Sequence, residues 1–255
     1  MSFDYSQYDI FEGMTSVSAV IKSIKDGKSD RRIIKILYDK SRSVKKSREL
    51  KFLAHMSNEL DFELLEVEKA EIDALSSGNT HGGIVAVCSK KSFPELNVNF
   101  LTNRNFYALI DGIEDPYNFG YSVRSLYAAG VDGILLPKRN WMEFSGVVSR
   151  SAAGTSELAD IFFCDPVEAV NLFKSNGFQV VCAEIRDSVS VFDHDMTIPT
   201  LLVVGGEKRG ISSKILSLSD ANVRIDYGRD FLGSLPSASA ISVIAFEIAR
   251  QKKQK

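Results

Sequence analysis

The sequence has few of the residues that build disulfide frameworks and zinc sites. Its 255 residues include only three cysteines and three histidines. Cys88, Cys164 and Cys182 lie far apart, form no CxxC pair and have no cluster of histidines beside them. We therefore expect neither a disulfide scaffold nor a zinc site, and we predict no bound metal ion.

The sequence also lacks a long apolar run. No stretch approaches the roughly 20 apolar residues that a membrane-spanning helix needs. The first residues, MSFDYSQYDIFEG, do not have the basic-then-apolar order of a signal peptide. We expect a cytoplasmic protein with no membrane partner.

No excess of one charge sign marks the chain as a whole, because its net charge is only −2. The stretch from Lys22 to Lys51 nevertheless carries twelve basic and four acidic residues, whereas Phe52 to Glu95 carries three basic and eight acidic ones. Such a split can present one face to phosphates, although most charged runs are only solvated helix faces. The candidate phosphate contacts are Arg31, Arg32, Arg42, Lys45 and Lys46.

The distribution of apolar residues predicts two α/β domains. Residues 1–95 alternate helix-like and strand-like patterns, residues 96–105 have weak periodicity and are predicted to be a linker, and residues 106–255 alternate again. In the last range, apolar strands are separated by amphipathic helices, which predicts a mainly parallel sheet covered on both faces. The predicted strands are 106–111, 133–136, 161–163, 179–183, 201–204 and 222–225. Ligands of such sheets bind beyond the carboxyl ends of the strands.

The first notable strand end is followed by an acidic turn and a helix. The predicted strand ends at Asp111, Asn118 is a candidate N-cap, and Arg124 lies in the second helical turn. Taken alone, a capped turn and a surface arginine explain this pattern at least as well as a catalytic site does.

Two further strand ends carry glycines and small residues. Gly205 and Gly206 follow one strand directly and precede Glu207; the spacing matches neither a P-loop nor a GxGxxG motif. After the strand ending at Ile225, the stretch Ser234-Leu235-Pro236 leads into a final helix rich in small residues. A glycine turn and close helix packing are the simpler explanations for each feature alone.

The order and spacing of the three strand ends together resemble the motifs of the SpoU (TrmH-type) RNA ribose methyltransferases of the SPOUT superfamily. DPYNFGYSVR is similar to the first motif, with Asn118 and Arg124; VVGGEKRG is similar to the second; and the segment from Ile225 to Pro236 is similar to the third. The N-terminal part, ending in HGGIVA, resembles the L30e-like substrate-binding domain of many members. One position departs from the family pattern, because Pro236 stands where the family usually has Asn.

The resemblance implies an L30e-like domain at 1–95 and a knotted α/β methyltransferase domain at 106–255. It implies S-adenosylmethionine as cofactor, held around Gly205, Gly206, Ile225, Leu235 and Pro236. It also implies catalytic roles for the residues Arg124, Asn118, Glu207 and Ser234. The implied reaction is methyl transfer to a ribose 2′-hydroxyl of RNA by a homodimer that pairs through the knot region. Ribosomal and transfer RNA are both compatible with the resemblance, and the L30e-like domain favours ribosomal RNA.

One other interpretation remains open, and a second is disfavoured. A non-catalytic RNA-binding or ribosome-assembly protein could retain the same fold, and Pro236 motivates this alternative. An NAD-type or Rossmann methyltransferase is disfavoured, because neither domain has a glycine-rich loop after its first strand.

Overall fold

The computed structural model describes residues 4–78, 81–101, 104–138, 145–230 and 232–254. These residues form two compact units. The first contains residues 4–92 together with 145–158, and the second contains 93–138 together with 159–254. The division of the chain at 95 and 106 stays a prediction, and residues 145–158 group with the first unit although they follow the first two strands of the second.

The first unit is built on a four-stranded mixed sheet with the order β1-β4-β2-β3. Strand β4 runs antiparallel to β1 and β2, whereas β3 runs parallel to β2. Helices cover the sheet, and Phe11, Val20, Ile36, Leu53 and Ile84 are among its core residues. The elements from residues 4–92 are β1 (Asp9–Glu12), α1 (Gly13–Lys25), β2 (Ile33–Asp39), α2 (Ser47–Leu60), β3 (Glu63–Val67), α3 (Lys69–Leu75) and β4 (Ile84–Cys88).

The second unit is built on a seven-stranded sheet with the order β7-β6-β5-β10-β8-β11-β9. All of its strand pairs are parallel, so the predicted α/β fold with a mainly parallel sheet is confirmed. Its strands are β5 (Phe106–Asp111), β6 (Gly133–Pro137), β7 (Ile161–Cys164), β8 (Gln179–Ala183), β9 (Val189–Ser190), β10 (Thr200–Gly205) and β11 (Ala221–Arg224). Its helices are α4 (Pro116–Ala128), α7 (Pro166–Ser175), α8 (Ser213–Leu216) and α9 (Ser237–Lys253), while α5 (Ser145–Ser151) and α6 (Thr155–Leu158) belong to the first unit.

The central strands are apolar along their whole length because both faces of the parallel sheet are covered. All residues of β5 except its last one are buried. On one face, the rings of Tyr107 and Phe173 meet edge to face with centroids 4.9 Å apart, and Leu109, Val180 and Leu201 belong to the same core. This rigid core fixes the positions of the loops that follow the strands.

The segment α5–α6 packs closely against α1 and β1 through two glycines. A Cβ atom on Gly146 would lie 2.3 Å from the carbonyl oxygen of Ile10, and one on Gly154 would lie 2.6 Å from the Cβ of Ala19. Real Cβ atoms do not come so near to other atoms, so neither position has room for a larger residue. The segment therefore approaches the backbone of β1 and α1 closely.

The predicted linker is packed on the second sheet. The amide of Leu96 donates a hydrogen bond to the carbonyl of Phe163 (2.8 Å), and Leu101 is buried in the core. Among the described residues, no helix is long and apolar enough to span a bilayer. Nor do the described His, Cys, Asp and Glu side chains form a cluster of three or more suited to a metal ion. The predicted knot stays a prediction.

Candidate active site

The loops after four neighbouring strands meet at one edge of the parallel sheet. Strands β5, β10, β8 and β11 lie side by side, and residues that follow each of these strands line a cavity of about 960 Å³. Small-molecule sites usually have volumes of roughly 300–1,000 Å³. The edge of the sheet at which a ligand was predicted to bind therefore contains a cavity of suitable size.

The glycine pair at the end of β10 allows two backbone segments to touch. A Cβ atom on Gly206 would lie 1.8 Å from the carbonyl oxygen of Gly112, and one on Gly205 would lie 2.2 Å from the carbonyl carbon of Gly210. The amide of Gly206 donates to the carbonyl of Asp111 (3.0 Å), and the amide of Gly210 donates to that of Gly206 (2.9 Å). The floor of the cavity is thus made of tightly packed backbone.

The first two motifs are joined by a hydrogen bond between side chains. Nδ2 of Asn118 donates to Oε1 of Glu207 over 2.9 Å. The prediction that Asn118 caps α4 is wrong, because Asp115 is the N-cap and its carboxylate accepts from the Asn118 amide (2.8 Å). Since the cap is supplied by Asp115, the side chain of Asn118 is left to hold Glu207, and both residues line the cavity.

The third motif contributes another wall of the same cavity. Ile225, Ser234, Leu235 and Pro236 all line it. The amide of Leu235 donates to the hydroxyl of Tyr227 over 3.1 Å, which fixes the end of the loop. The structure therefore brings together eight of the nine residues that the sequence marked as catalytic or cofactor-binding, with Arg124 as the exception.

Two family models match the chain. One, described as the SpoU rRNA Methylase family, matches residues 105–246. The other, described as RNA 2′-O ribose methyltransferase substrate binding, matches residues 10–94. The chain belongs to the SpoU rRNA methylase family. It is thus a SpoU-family RNA methyltransferase.

The chain is also similar to known proteins in sequence and in fold. The chain is 25% identical over 192 residues to a protein of Staphylococcus saprophyticus named as a TrmH family tRNA/rRNA methyltransferase, covering 73% of this chain and 76% of that protein. Its fold is similar to that of an AdoMet-bound rRNA methyltransferase from Sinorhizobium meliloti (TM-score 0.77, 20% identity, 96% and 87% of the two chains). It is also similar to the SpoU methyltransferase AviRb from Streptomyces viridochromogenes in complex with AdoMet (TM-score 0.75, 23% identity, 98% and 92%).

Sequence reasoning missed the contribution of β8 to this cavity. Glu184 follows β8 and lines the cavity, and its Oε1 accepts hydrogen bonds from the amides of Ile185 (3.0 Å) and Arg186 (3.1 Å). Asp226 also lines it, and a hydrogen bond from Ser190 and the charge of Arg224 lower the pKa of this carboxyl. Glu184 directly follows an apolar strand, and this position was the feature of the sequence that could have identified it as a site residue.

The side chain of Cys182, near the end of β8, is buried in the core of the second sheet. Cys182 lies one residue before the end of β8, and burial raises the pKa of its thiol to about 12. A thiol with so high a pKa stays protonated near neutral pH, and only the thiolate is a good nucleophile.

Arg124 stands apart from the cavity but lies on the helix that carries Asn118. Its side chain is exposed and is not among the described residues that line the cavity. Within the described part of the chain it forms no ion pair or hydrogen bond. Its guanidinium group therefore has all of its donors available to a ligand.

One predicted RNA contact must be corrected. Arg31 is 2% exposed and lies inside the first unit, where its Nη1 pairs with Asp9 (2.5 Å) and its Nε with Glu157 (2.9 Å). A guanidinium buried between two carboxylates cannot reach a phosphate, so Arg31 is a structural residue.

The other predicted RNA contacts lie at the surface of the first unit. Arg32, Arg42 and Lys45 are exposed. Nε of Arg42 lies 3.5 Å from Asp39, and Nζ of Lys46 lies 3.0 Å from Glu49. Their role in RNA binding stays a prediction.

Proposed function

We propose that the protein transfers a methyl group from S-adenosylmethionine to a ribose 2′-hydroxyl of ribosomal RNA. The observation that carries the proposal is the single cavity in which the Asn118–Glu207 pair, the glycine floor and the third motif meet. The description of the family model matched by residues 10–94 names 2′-O ribose methyltransferases, which supports this target. AdoMet is bound in the similar proteins from S. meliloti and S. viridochromogenes.

The lining of the cavity fits this cofactor. Apolar side chains, including Val204, Ile211 and Ile244, offer surface for an adenine ring. The carboxylates of Glu184 and Asp226 suit a ligand that carries a sulfonium and an ammonium charge. The residues that would hold the cofactor are Gly205, Gly206, Ile225, Leu235 and Pro236.

When bound, S-adenosylmethionine supplies a methyl group on a sulfonium sulfur that is already a good leaving group. The tasks that remain for the protein are alignment and removal of the hydroxyl proton, and alignment can contribute up to about 7–11 kcal/mol. The Asn118–Glu207 hydrogen bond orients polar groups in the lining of the cavity, and Ser234 adds a hydroxyl to the same lining.

Arg124 binds the RNA substrate in this proposal. Arginine guanidinium groups stay protonated in proteins and match phosphate geometry with two donors, so Arg124 is better suited to hold a phosphate than to accept a proton. A cation beside the ribose also stabilises a developing alkoxide. The side chain is exposed on α4, where a phosphate can reach it.

The test compares Arg124→Ala with wild type in two assays. Methyl transfer to ribosomal RNA is followed by mass spectrometry of 2′-O-methylated nucleosides, and affinity for S-adenosylhomocysteine is measured by calorimetry. We expect Arg124→Ala to abolish methyl transfer and to leave ligand affinity within about twofold. Arg250→Ala, at the far end of α9, is the matched control and should retain activity. Retained turnover in Arg124→Ala, or methylation of a base, would contradict the proposal.

A second function, RNA binding without catalysis, is motivated by Pro236. A proline offers neither the side-chain amide nor the backbone N–H of the usual Asn. If the protein only binds RNA, calorimetry should detect no binding of S-adenosylmethionine or S-adenosylhomocysteine, while RNA binding remains.

We also propose a homodimer that pairs through α4 and α9, acting in the cytoplasm. The two helices pack on each other, and the hydroxyls of Ser125 and Ser242 lie 2.6 Å apart. Tyr117 and Tyr121, four residues apart on α4, are 45% and 48% exposed, and Phe246 on α9 is 52% exposed. Exposed apolar rings on a packed helix pair are typical of a subunit interface.

A further inference from the structure

The outer face of α2 in the first unit combines an exposed aromatic ring with positive charge. Phe52 is 41% exposed, and the structure gives it no ring contact with any described residue. Arg48 lies four residues before it and His55 three residues after it, so the three side chains share one helix face. Lys51 is adjacent, and all three of these polar residues are exposed.

The cations around Phe52 form no ion pairs in the described part of the chain, although the charge of Arg48 acts on the nearby carboxylate of Glu49. Within the described chain, Arg48, Lys51 and the exposed Lys45 have no ion-pair partner within 4 Å. Their neighbours on the same segment behave differently, since Lys46 pairs with Glu49 and Lys25 pairs with Glu59 at 2.9 Å. The charge that surrounds the ring is therefore available to an external anion.

Buried neighbours of Phe52 on α2 make this surface rigid. Leu53 and Met56 are 0% and 3% exposed and belong to the core of the unit. Before the helix, the amide of Asp39 donates to the carbonyl of Gly83 (2.9 Å), and the Asp39 carboxylate accepts from Ser41 (2.9 Å). A ring on a fixed helix loses little conformational freedom when a ligand stacks on it.

We propose that Phe52 is a stacking platform for an unpaired base of the RNA substrate, with Arg48 and Lys51 holding the phosphates on either side. Single-stranded RNA is recognised by aromatic rings next to positive charge, because every base has a π-face and every nucleotide a phosphate. A single ring among free cations offers too little apolar area for a stable protein interface. The inference rests on the proposed function only in taking RNA as the substrate, and residues 10–94 match a substrate-binding family model.

The first experiment measures RNA binding to the full chain by fluorescence anisotropy. The probes are a mixed-sequence single-stranded RNA of about 20 nucleotides and a duplex of equal length, each at several salt concentrations. We expect Phe52→Ala to weaken single-strand binding roughly 5- to 150-fold, which corresponds to about 1–3 kcal/mol for one stacked base. Phe52→Trp should retain affinity, whereas Phe52→Leu, which is apolar but cannot stack in the same way, should resemble Phe52→Ala.

Salt dependence separates stacking from charge. Phe52→Ala should leave the slope of log affinity against log salt unchanged, whereas Arg48→Ala should reduce it by about 0.7 for each single-strand phosphate that the arginine neutralises in wild type. Leu65→Ala is the matched control, because Leu65 is a similarly exposed apolar residue (37%) on β3. It should bind like wild type.

Several results would overturn the inference. One is wild-type RNA affinity in Phe52→Ala or Phe52→Leu. Another is a loss of duplex affinity in Phe52→Ala equal to the loss of single-strand affinity. The third is a change of oligomeric state in Phe52→Ala, which would show that the ring contacts protein. Failure of the proposed function is distinguishable, because Phe52→Ala should raise KM for RNA and leave kcat and S-adenosylhomocysteine binding intact. If wild type bound no cofactor but Phe52→Ala still weakened single-strand binding, the stacking proposal would hold and the proposed methyltransferase activity would not.

Discussion

Replacing Gly206 with Ala tests whether the floor of the cavity is made of touching backbone. The added Cβ would lie 1.8 Å from the Gly112 carbonyl oxygen, whereas ordinary van der Waals contact begins near 3.4 Å. No side chain can turn away to relieve this contact, because the next atoms it would meet belong to the backbone of Gly112 and Ile113. Overpacking typically costs about 1–3 kcal/mol, and we expect about 3 kcal/mol here. The β5 and β10 loops must separate, so the cavity should lose its shape.

The assay is urea unfolding with and without S-adenosylhomocysteine. A ligand at about 100 times its Kd stabilises the folded state by about 2.7 kcal/mol; wild type should show this gain and Gly206→Ala should show almost none. Gly228→Ala is the matched control, because a Cβ there meets no atom within 4 Å, and it should behave as wild type. If Gly206→Ala unfolded within about 0.5 kcal/mol of wild type and kept the ligand-induced gain, the backbone contact would not be what shapes the site.

Two further predictions concern the buried ion pairs and the subunit contact. Arg31→Met leaves the carboxylates of Asp9 and Glu157 buried without a cation. In a urea titration it should lower the free energy of unfolding by about 3–5 kcal/mol. Lys22→Ala, which removes an exposed ion pair, is the control and should lower it by at most about 1 kcal/mol. Phe246→Ser should shift sedimentation from dimer to monomer because it removes an apolar contact, while Phe192→Ser, at a similar exposure (50%), should not; a wild-type monomer would refute the proposed interface.

The second sheet could be predicted because its strands are apolar over their whole length. The predicted bounds 106–111 and 179–183 agree with β5 and β8, and the other strands of this sheet agree within one residue at each end. The exception is β9, a two-residue strand too short to produce a pattern. Helix α8 is also short, because it spans only four residues after its N-cap, Ser212.

Contacts between distant parts of the chain could not be predicted. The segment α5–α6 has small residues at Gly146 and Gly154, and a sequence pattern cannot tell which surface such residues approach. Arg31 was assigned to RNA for the same reason, since its partner Glu157 lies 126 residues away. The cavity residues after β8 were missed because an acidic residue at a strand end has meaning only once the neighbouring strands are known.

The one departure from the family motif can be judged from the backbone around Pro236. This residue is the N-cap of α9 with φ −52° and ψ 144°, and its carbonyl accepts from the amides of Ser239 (2.9 Å) and Ala240 (3.0 Å). Its φ is the one that proline prefers, and an N-cap needs only a carbonyl to start the helix, so the substitution does not disturb α9. Because position 236 is proline, the cavity lacks the side-chain amide that Asn would supply there. The hydrogen bond between Asn118 and Glu207, the glycine floor and the remaining third-motif residues do not depend on that amide, which is why we expect cofactor binding and methyl transfer to persist.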